Sequence, residues 1–406
     1  MKRFAPLLLL VATLTAIAVP FALAAAVSAP APDRWDRSPV APIATAITTV
    51  TGIAISPLLG TGAYGAYLWM TAEDEAARAA LPWYAHWAFF VPALLIVGAC
   101  AAKDAFGAVL PPDMKKPLDG LETIENMATG LVAAGAVVPF MMGALSKAIA
   151  GAPTAATDGM LASSGLATIH LAGVDLAGLL SVLTVPFGLA IFAVVWMASH
   201  AINVLILLSP WGAIDTVLKG ARTALLGLLA LSATINPWVG AALSLGVIVL
   251  AYFVAGWAFR LTIFGSAFCW DFFTVRRARF SPAENDNPMF SGANLPGVPP
   301  RTYGRLVQRT GTKALEFFYR PWLVRPVRTA KVPAETLTVG RGLFFSSIGA
   351  DGGKTYFLLP PRYHGHEEVL VRAYGLAGGV RDAGLRKAWS VLRELFGGAA
   401  AKTQVV

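Results

Sequence analysis

Of the 406 residues, 56% are hydrophobic and 14% charged, whereas a soluble domain is usually about half apolar and about a quarter charged. The apolar excess lies in long runs, which argues against a water-soluble chain and for lipid as its solvent. The net charge of +9 is uneven: from Val275 onward twenty Lys and Arg face nine Asp and Glu, a balance of +11 that leaves −2 for everything before it.

Met1-Lys2-Arg3, the apolar stretch through Leu7–Leu10 to Ala24, and small residues at Ala22 and Ala24 read as a signal peptide over 1–24. Val27 and Ala29 offer a second cleavage position, and an uncleaved stretch would serve as a first transmembrane helix. Pro30, Pro32, Asp33, Arg34, Asp36 and Arg37 make 25–42 a polar linker. The region 43–274 then holds apolar segments at Ile43–Met70, Trp83–Ala102, Ala128–Ile149, Leu176–Leu208 and Ala221–Gly265. A spanning helix needs roughly 20 apolar residues. The last block, interrupted at Asn236-Pro237, is long enough for two spans. Ile43–Met70, interrupted at Ser56-Pro57, is short for two, so half-helices or a re-entrant hairpin are expected there. Cys100 and Cys269 are too few for a disulfide framework or thiolate metal site and read as small buried hydrophobes.

The loops give an orientation. Ala150–Asp175 has no Lys or Arg and belongs outside. Lys103, Lys115, Lys116, Lys219, Arg222, Arg276, Arg277 and Arg279 hold their loops inside. This closes only if Ile43–Met70 enters and leaves on one side. The acidic Glu73-Asp74-Glu75 would then be periplasmic.

Ser281–Arg301 is rich in Pro, Gly and Asn, so 275–302 reads as a linker. Over 303–397 the pattern changes to short strands at Ala314–Phe318, Glu335–Val339, Gly342–Ser347, Lys354–Leu359 and Val369–Ala373. Gly340, Gly342 and Asp351-Gly352-Gly353 mark turns, the last a hairpin. Arg381–Phe396 reads as an amphipathic helix with Leu385, Trp389, Leu392 and Phe396 on one face, and 398–406 as a tail. The expected fold is an all-α polytopic membrane helical bundle with proline-broken helices, followed by a small β-rich (α+β) cytoplasmic domain.

The chemistry-bearing residues gather at two helix entrances. Asp104 follows Lys103. If Pro117 opens a helix, Asp119, Glu122 and Asn126 share one face, with Lys115 able to pair with Asp119. Charges so close to hydrocarbon often mark ion or substrate paths, although acidic groups at a helix start also suit the helix dipole in an ordinary solvated entrance. His200 and Asn203 lie one turn apart in an apolar run and face one partner together, as a proton-linked group or a packing pair. Asp215 completes that second cluster. His364-Gly-His366-Glu367-Glu368 has metal-binding residue types, but adjacent turn positions seldom close a coordination sphere. There is no phosphate-binding loop, which speaks against ATP hydrolysis, and no nucleophile-and-base set for an intramembrane enzyme.

Two breaks match each other: Ile55-Ser56-Pro57-Leu58-Leu59-Gly60 and Ile235-Asn236-Pro237-Trp238-Val239-Gly240. With opposite entry sides this is the pattern of an inverted repeat, whose broken helices often hold a transporter's site; chance similarity between apolar stretches is the rival. The run from Ser56-Pro57 through Lys103-Asp104, Leu110-Pro111, Asp119 and Gly130 to Leu208-Ser209-Pro210 and Asp215 resembles a bacterial membrane family catalogued as domain of unknown function 4126. The resemblance covers about 43–265 and implies a polytopic fold; it supplies no activity. Lys103-Asp104 stands further from Pro111 than in that family, and 151–175 looks like an insertion.

The expected function is a transporter or permease-like protein for a small solute, ion or lipid, in the bacterial inner membrane with its C-terminus cytoplasmic. The path would include Asp104, Asp119, Glu122, Asn126, His200, Asn203 and Asp215, with Ser56, Pro57, Asn236 and Pro237 at the breaks. The alternative is a non-transporting scaffold or sensor. Neither cofactor, metal nor nucleic acid is expected. The expected partners are the bilayer and, at the basic domain, anionic lipid or a protein.

Overall fold

The computed structural model describes residues 41–106, 112–150, 176–209, 212–309, 314–342 and 345–382. The signal peptide, most of the first linker, the loop 151–175, nearly all of the amphipathic helix and the tail lie outside the described residues. The chain divides into two compact units, Met1–Asn203 with Trp211–Ala255, and Val204–Pro210 with Gly256–Val406.

The helices run α1 (Ala41–Ile55), α2 (Pro57–Thr71), α3 (Glu75–Ala79), α4 (Trp87–Phe106), α5 (Pro112–Val132), α6 (Val138–Ile149), α7 (Leu176–Leu208), α8 (Gly212–Ile235) and α9 (Pro237–Phe273). Among the described residues, four helical stretches are long and apolar enough to cross a membrane: Pro117–Ile149, Ala177–Leu208, Asp215–Ile235 and Pro237–Phe273. Their flanks present large apolar side chains outward, Val182, Leu183, Leu250 and Phe253 among them, the reverse of a soluble bundle. Inward, Val50, Ile53 and Ile55 pack with Val137, Met141, Phe192, Val195 and Leu229. Asp74 caps α3, its Oδ1 accepting the Ala77 N–H at 2.7 Å.

Helices α1 and α2 hold 15 residues each, about 22 Å of helix against a hydrocarbon core of roughly 30 Å. They meet at the Ser56-Pro57 break. The break is chemical: Pro57 has no N–H and its ring collides with the carbonyl four residues back, and Ser56 leaves helical geometry at φ −139°, ψ 86°. The chain folds back so sharply that a Cβ added at Gly60 would sit 2.7 Å from Ile53 Cα, residues about 10 Å apart along a continuous helix. The second motif repeats this geometry. Pro237 opens α9 after Asn236, and a Cβ at Gly240 would lie 3.1 Å from Ala233 Cα and 3.1 Å from Thr48 Oγ1.

Two helix boundaries differ from expectation. Pro117 lies inside α5, which starts at Pro112, where its missing N–H costs the helix the bond to the carbonyl four residues back. α9 continues to Phe273, past Gly265. Between α5 and α6 a π-helical turn, Ala133–Val137, shifts the hydrogen-bond ladder ahead of Pro139, with Val138 N–H reaching the Ala133 carbonyl.

Among the described residues the second unit carries eight strands: β1 (Asp286–Ser291), β2 (Tyr303–Gln308), β3 (Leu315–Tyr319), β4 (Arg328–Lys331), β5 (Leu337–Arg341), β6 (Ser346–Ala350), β7 (Lys354–Leu359) and β8 (Val380–Asp382), with helix α10 (Glu367–Tyr374). They form one sheet in the order β4-β3-β2-β1-β7-β6-β5-β8, antiparallel except for the parallel β5–β8 pair. Met289, Leu306, Phe317, Val339, Phe357 and Leu370 are among the fully buried side chains of its core. Asp351-Gly352-Gly353 does turn the β6–β7 hairpin, with both glycines at positive φ, 81° and 80°.

Several expectations are corrected here. The linker 275–302 contains β1, a central strand. Its Pro288 is tolerated because hydrogen-bonded pairing with β2 falls at alternate positions, through Gln308 N to Asn285 O and Ser291 N to Thr302 O. Pro288 therefore turns its missing N–H away from β2, and β7 pairs with β1 only at Phe290 and Ser291. Val369–Ala373 is helix, not strand: Glu367 and Glu368 suit a helix start, Leu370 and Tyr374 bury one face, and Gly375 closes it at φ 61°. Gly340 lies within β5, and Arg381 and Asp382 belong to β8 rather than to a helix.

Candidate functional site

The first unit gathers its polar side chains from four segments. Lys103 of α4 and Lys219 of α8 converge on α5. Lys103 Nζ stands 2.6 Å from Glu122 Oε2 and 3.2 Å from Asp119 Oδ1, while Lys219 Nζ stands 3.1 Å and 3.8 Å from the same two oxygens. Two positive and two negative charges thus neutralise one another in a site where Asp119 is 2% exposed. Isolated charges would be expensive there; in mutual contact each supplies the counter-charge the other lost with its water. The expected Lys115–Asp119 pairing falls on Lys115, whose side chain, like that of Asp104, lies outside the described residues.

Two turns along α5, Asn126 Oδ1 meets His200 Nδ1 at 2.9 Å. With the amide so oriented, the oxygen accepts, which places the proton on Nδ1 and leaves Nε2 an acceptor. Trp196 stacks on the His200 ring at 5.1 Å between centroids, and its indole N–H reaches the Asn126 carbonyl at 3.4 Å. Gly130 makes room, since a Cβ there would collide with that indole.

The third layer is the helix break. Ending α1 at Ser56 leaves its terminal carbonyls at a negative dipole end. The Ile55 carbonyl accepts from Arg222 Nη2 at 2.6 Å, Arg222 Nε at 3.0 Å and Ser199 Oγ at 2.6 Å. Arg222 Nη1 also reaches Asn203 Oδ1 at 2.6 Å. The Asn203 amide and the Ser56-Pro57 break are thus joined through one guanidinium.

Asp119, Glu122, Asn126, His200 and Asn203 therefore line one buried network that runs along α5 and α7 to the first break. Asp215 is buried in the first turn of α8, one turn before Lys219. The second break lies apart from the network: Asn236 Oδ1 accepts the Trp238 N–H at 2.8 Å, an ordinary helix cap. Within the network Asp119 Oδ2, His200 Nε2 and Asn203 Nδ2 are buried and have no hydrogen-bond partner among the described residues. They comprise a carboxylate acceptor, an imidazole nitrogen and an amide donor, a set able to hold a small polar species.

Sequence reasoning placed Lys103 in the first polar cluster and Lys219 and Arg222 in the second, and used them as loop charges, without naming their partners. Their role as partners depends on contacts 16 to 167 residues distant, and nothing local announces it. Ser199 and Trp196 were missed altogether. The histidine-rich turn does not form a ligand cluster: His366 Nε2 meets the Arg277 carbonyl at 2.9 Å, while Glu367 turns inward to Ser346 Oγ at 2.7 Å and the Gly365 N–H at 2.9 Å. No group of three or more metal-ligating side chains occurs among the described residues. No protein-family model, curated protein or solved structure matches this chain.

Proposed function

We propose that this chain is a multi-pass protein of a bacterial inner membrane that passes a small polar solute or ion along the Asp119–His200–Asn203 network. The observation that carries the reading is the set of three buried polar atoms without partners among the described residues, strung along a charge-compensated network that ends at a broken helix. Water or a solute is the natural partner for such groups in apolar surroundings. In this scheme the loop 150–175 is periplasmic and the C-terminus cytoplasmic, by the distribution of Lys and Arg. The resemblance to domain of unknown function 4126 belongs to the same proposal.

Reconstituted protein should pass protons under an imposed pH gradient, read with an entrapped pH dye, or neutral solutes, read by vesicle swelling. Asp119→Asn removes one of the two negative charges that face Lys103 and Lys219, so it should lower the melting temperature as well as abolish the flux, the fluxes being compared at matched membrane level. His200→Gln should change the flux's pH dependence. Fluxes no greater than those of protein-free vesicles, for protons and for a panel of small neutral solutes alike, would sink the transport reading. The scaffold or sensor reading would then stand, and the arginine-lined cavity of the second unit favours it.

A further inference from the structure

The second unit holds a cavity of about 230 Å³ between the Gly256–Ile263 stretch of α9, the start of β2 and the β3–β4 loop. Four arginines line it, Arg260, Arg301, Arg320 and Arg328, and no acidic residue does. Arg260 Nε donates to the Pro300 carbonyl at 3.0 Å, which fixes its guanidinium at the cavity wall, and Arg301 is 3% exposed. Arg320 and Arg328 stand at the open side. Bringing four guanidinium groups to one small cavity costs repulsion that an anion with several oxygens relieves, and the planar arginine fork matches phosphate oxygens in pairs. The volume falls below the roughly 300–1,000 Å³ usual for drug-sized ligands, which suits a headgroup.

The rim carries an independent signal. The β3–β4 loop reads Arg320-Pro321-Trp322-Leu323-Val324-Arg325-Pro326-Val327. Trp322 and Leu323 both hold left-handed backbone, φ 56° and 60°, a conformation strained for side chains of this kind. That strained turn presents apolar groups outward: Trp322 and Leu323 are each 41% exposed and Val324 83%. The Trp322 indole rests on Phe259, 4.9 Å between centroids, and Phe259 belongs to a helix apolar enough to cross a membrane. An exposed Trp-Leu-Val tip between arginines has the composition of a segment seated at a bilayer interface, where tryptophan and basic residues are favoured.

We propose that this cavity binds the phosphodiester of an anionic phospholipid, the arginines holding the phosphate and the Trp322-Leu323-Val324 tip lying among the acyl-chain roots. The proposal does not rest on the transport reading, since no residue of the buried network lines the cavity.

The test is a binding titration on full-length protein in a neutral detergent, with tail-labelled phosphatidylglycerol and phosphatidylcholine as probes. Phosphatidylglycerol should bind about tenfold more tightly than the zwitterionic lipid, with added salt narrowing the gap. Arg320→Gln with Arg328→Gln, at exposed positions, should weaken phosphatidylglycerol by about tenfold while the melting temperature holds. Trp322→Ser should weaken both lipids and leave glycerol phosphate untouched. Equal affinity for the two lipids, or a double variant that binds phosphatidylglycerol like wild type, would overturn the site. Displacement of the lipid by equimolar glycerol phosphate, with Trp322→Ser neutral, would overturn the lipid as its source.

Discussion

Arg222 places Nε and Nη2 on the Ile55 carbonyl and Nη1 on Asn203 Oδ1, so three of its donors hold one helix end open. Lysine, a point charge, cannot span both acceptors. Arg222→Lys should lower stability by about 1.5–3 kcal/mol, and Ser199→Ala, which removes a neutral donor to the same oxygen, by about 1 kcal/mol. Melts in detergent check the order; equal losses would mean the guanidinium fork is not what holds the break. In the second unit Arg362 Nε lies 2.6 Å from Asp271 Oδ2, both side chains buried. Asp271→Asn should cost about 3–5 kcal/mol because it leaves a buried charge uncompensated. Asp271→Leu with Arg362→Leu should be milder than either single change, and a double-mutant cycle measures the difference. Burial, with Asp286 adding to it, pushes the Tyr374 phenol up to about 12. Because this exceeds the unfolded value near 10, the stability is complete below pH ~10 and drains away by up to about 3 kcal/mol as pH climbs to ~12. Tyr374→Phe should flatten that part of the alkaline melting profile, and an unchanged slope would assign it elsewhere.

At the scale of elements, the two proline breaks were legible because their cause is local. A missing N–H and a ring clash end a helix whatever surrounds it. What could not be read was how tightly the chain doubles back. At Gly60 an added methyl meets backbone at 2.7 Å; at Gly240 the backbone stands at 3.1 Å. Gly60→Ala should therefore lower the melting temperature more than Gly240→Ala, and the reverse order would show that the first turn relaxes more easily than its packing suggests. The strand-rich unit was less legible. Asp286–Ser291 carries Asn and Pro, which read as linker, yet only its register against β2 decides that Pro288 owes the sheet no hydrogen bond. Val369–Ala373 reads as strand by its β-branched residues, while the helix signals lie just outside it, in Glu367-Glu368 and Gly375. For the polar site, burial near hydrocarbon flagged Asp119, His200 and Asn203, but their partners come from distant segments that no periodicity connects.

For the molecule as a whole, the sheet sets where the strand-rich unit can be cut. β1 stands between β2-β3-β4 and β7-β6-β5-β8, so it is the only strand joining the two halves among the described residues. A fragment beginning at Tyr303 lacks it and should give no cooperative melt. One beginning at Ser281 retains it and should melt cooperatively, with a strand-type circular dichroism spectrum. A cooperative melt from the shorter fragment would show that β2 and β7 can close the gap alone. Topology is testable on the same scale: a periplasm-only reporter should be active within 151–171 and silent after Gly265, and activity at the second position would reverse the orientation.

The position of β1 also orders events on the ribosome. It emerges shortly after the last apolar helix, and β2 can pair with it, β3 with β2 and β4 with β3, as successive local hairpins. Its other flank waits for β7, whose partner residues Phe357 and Leu358 are made more than sixty residues later. Throughout that interval the nascent chain carries a half-sheet with an open edge. Such edges invite pairing with other chains. A translation product arrested between 331 and 354 would hold that edge permanently, and should be cleared or aggregate where the full-length chain does not.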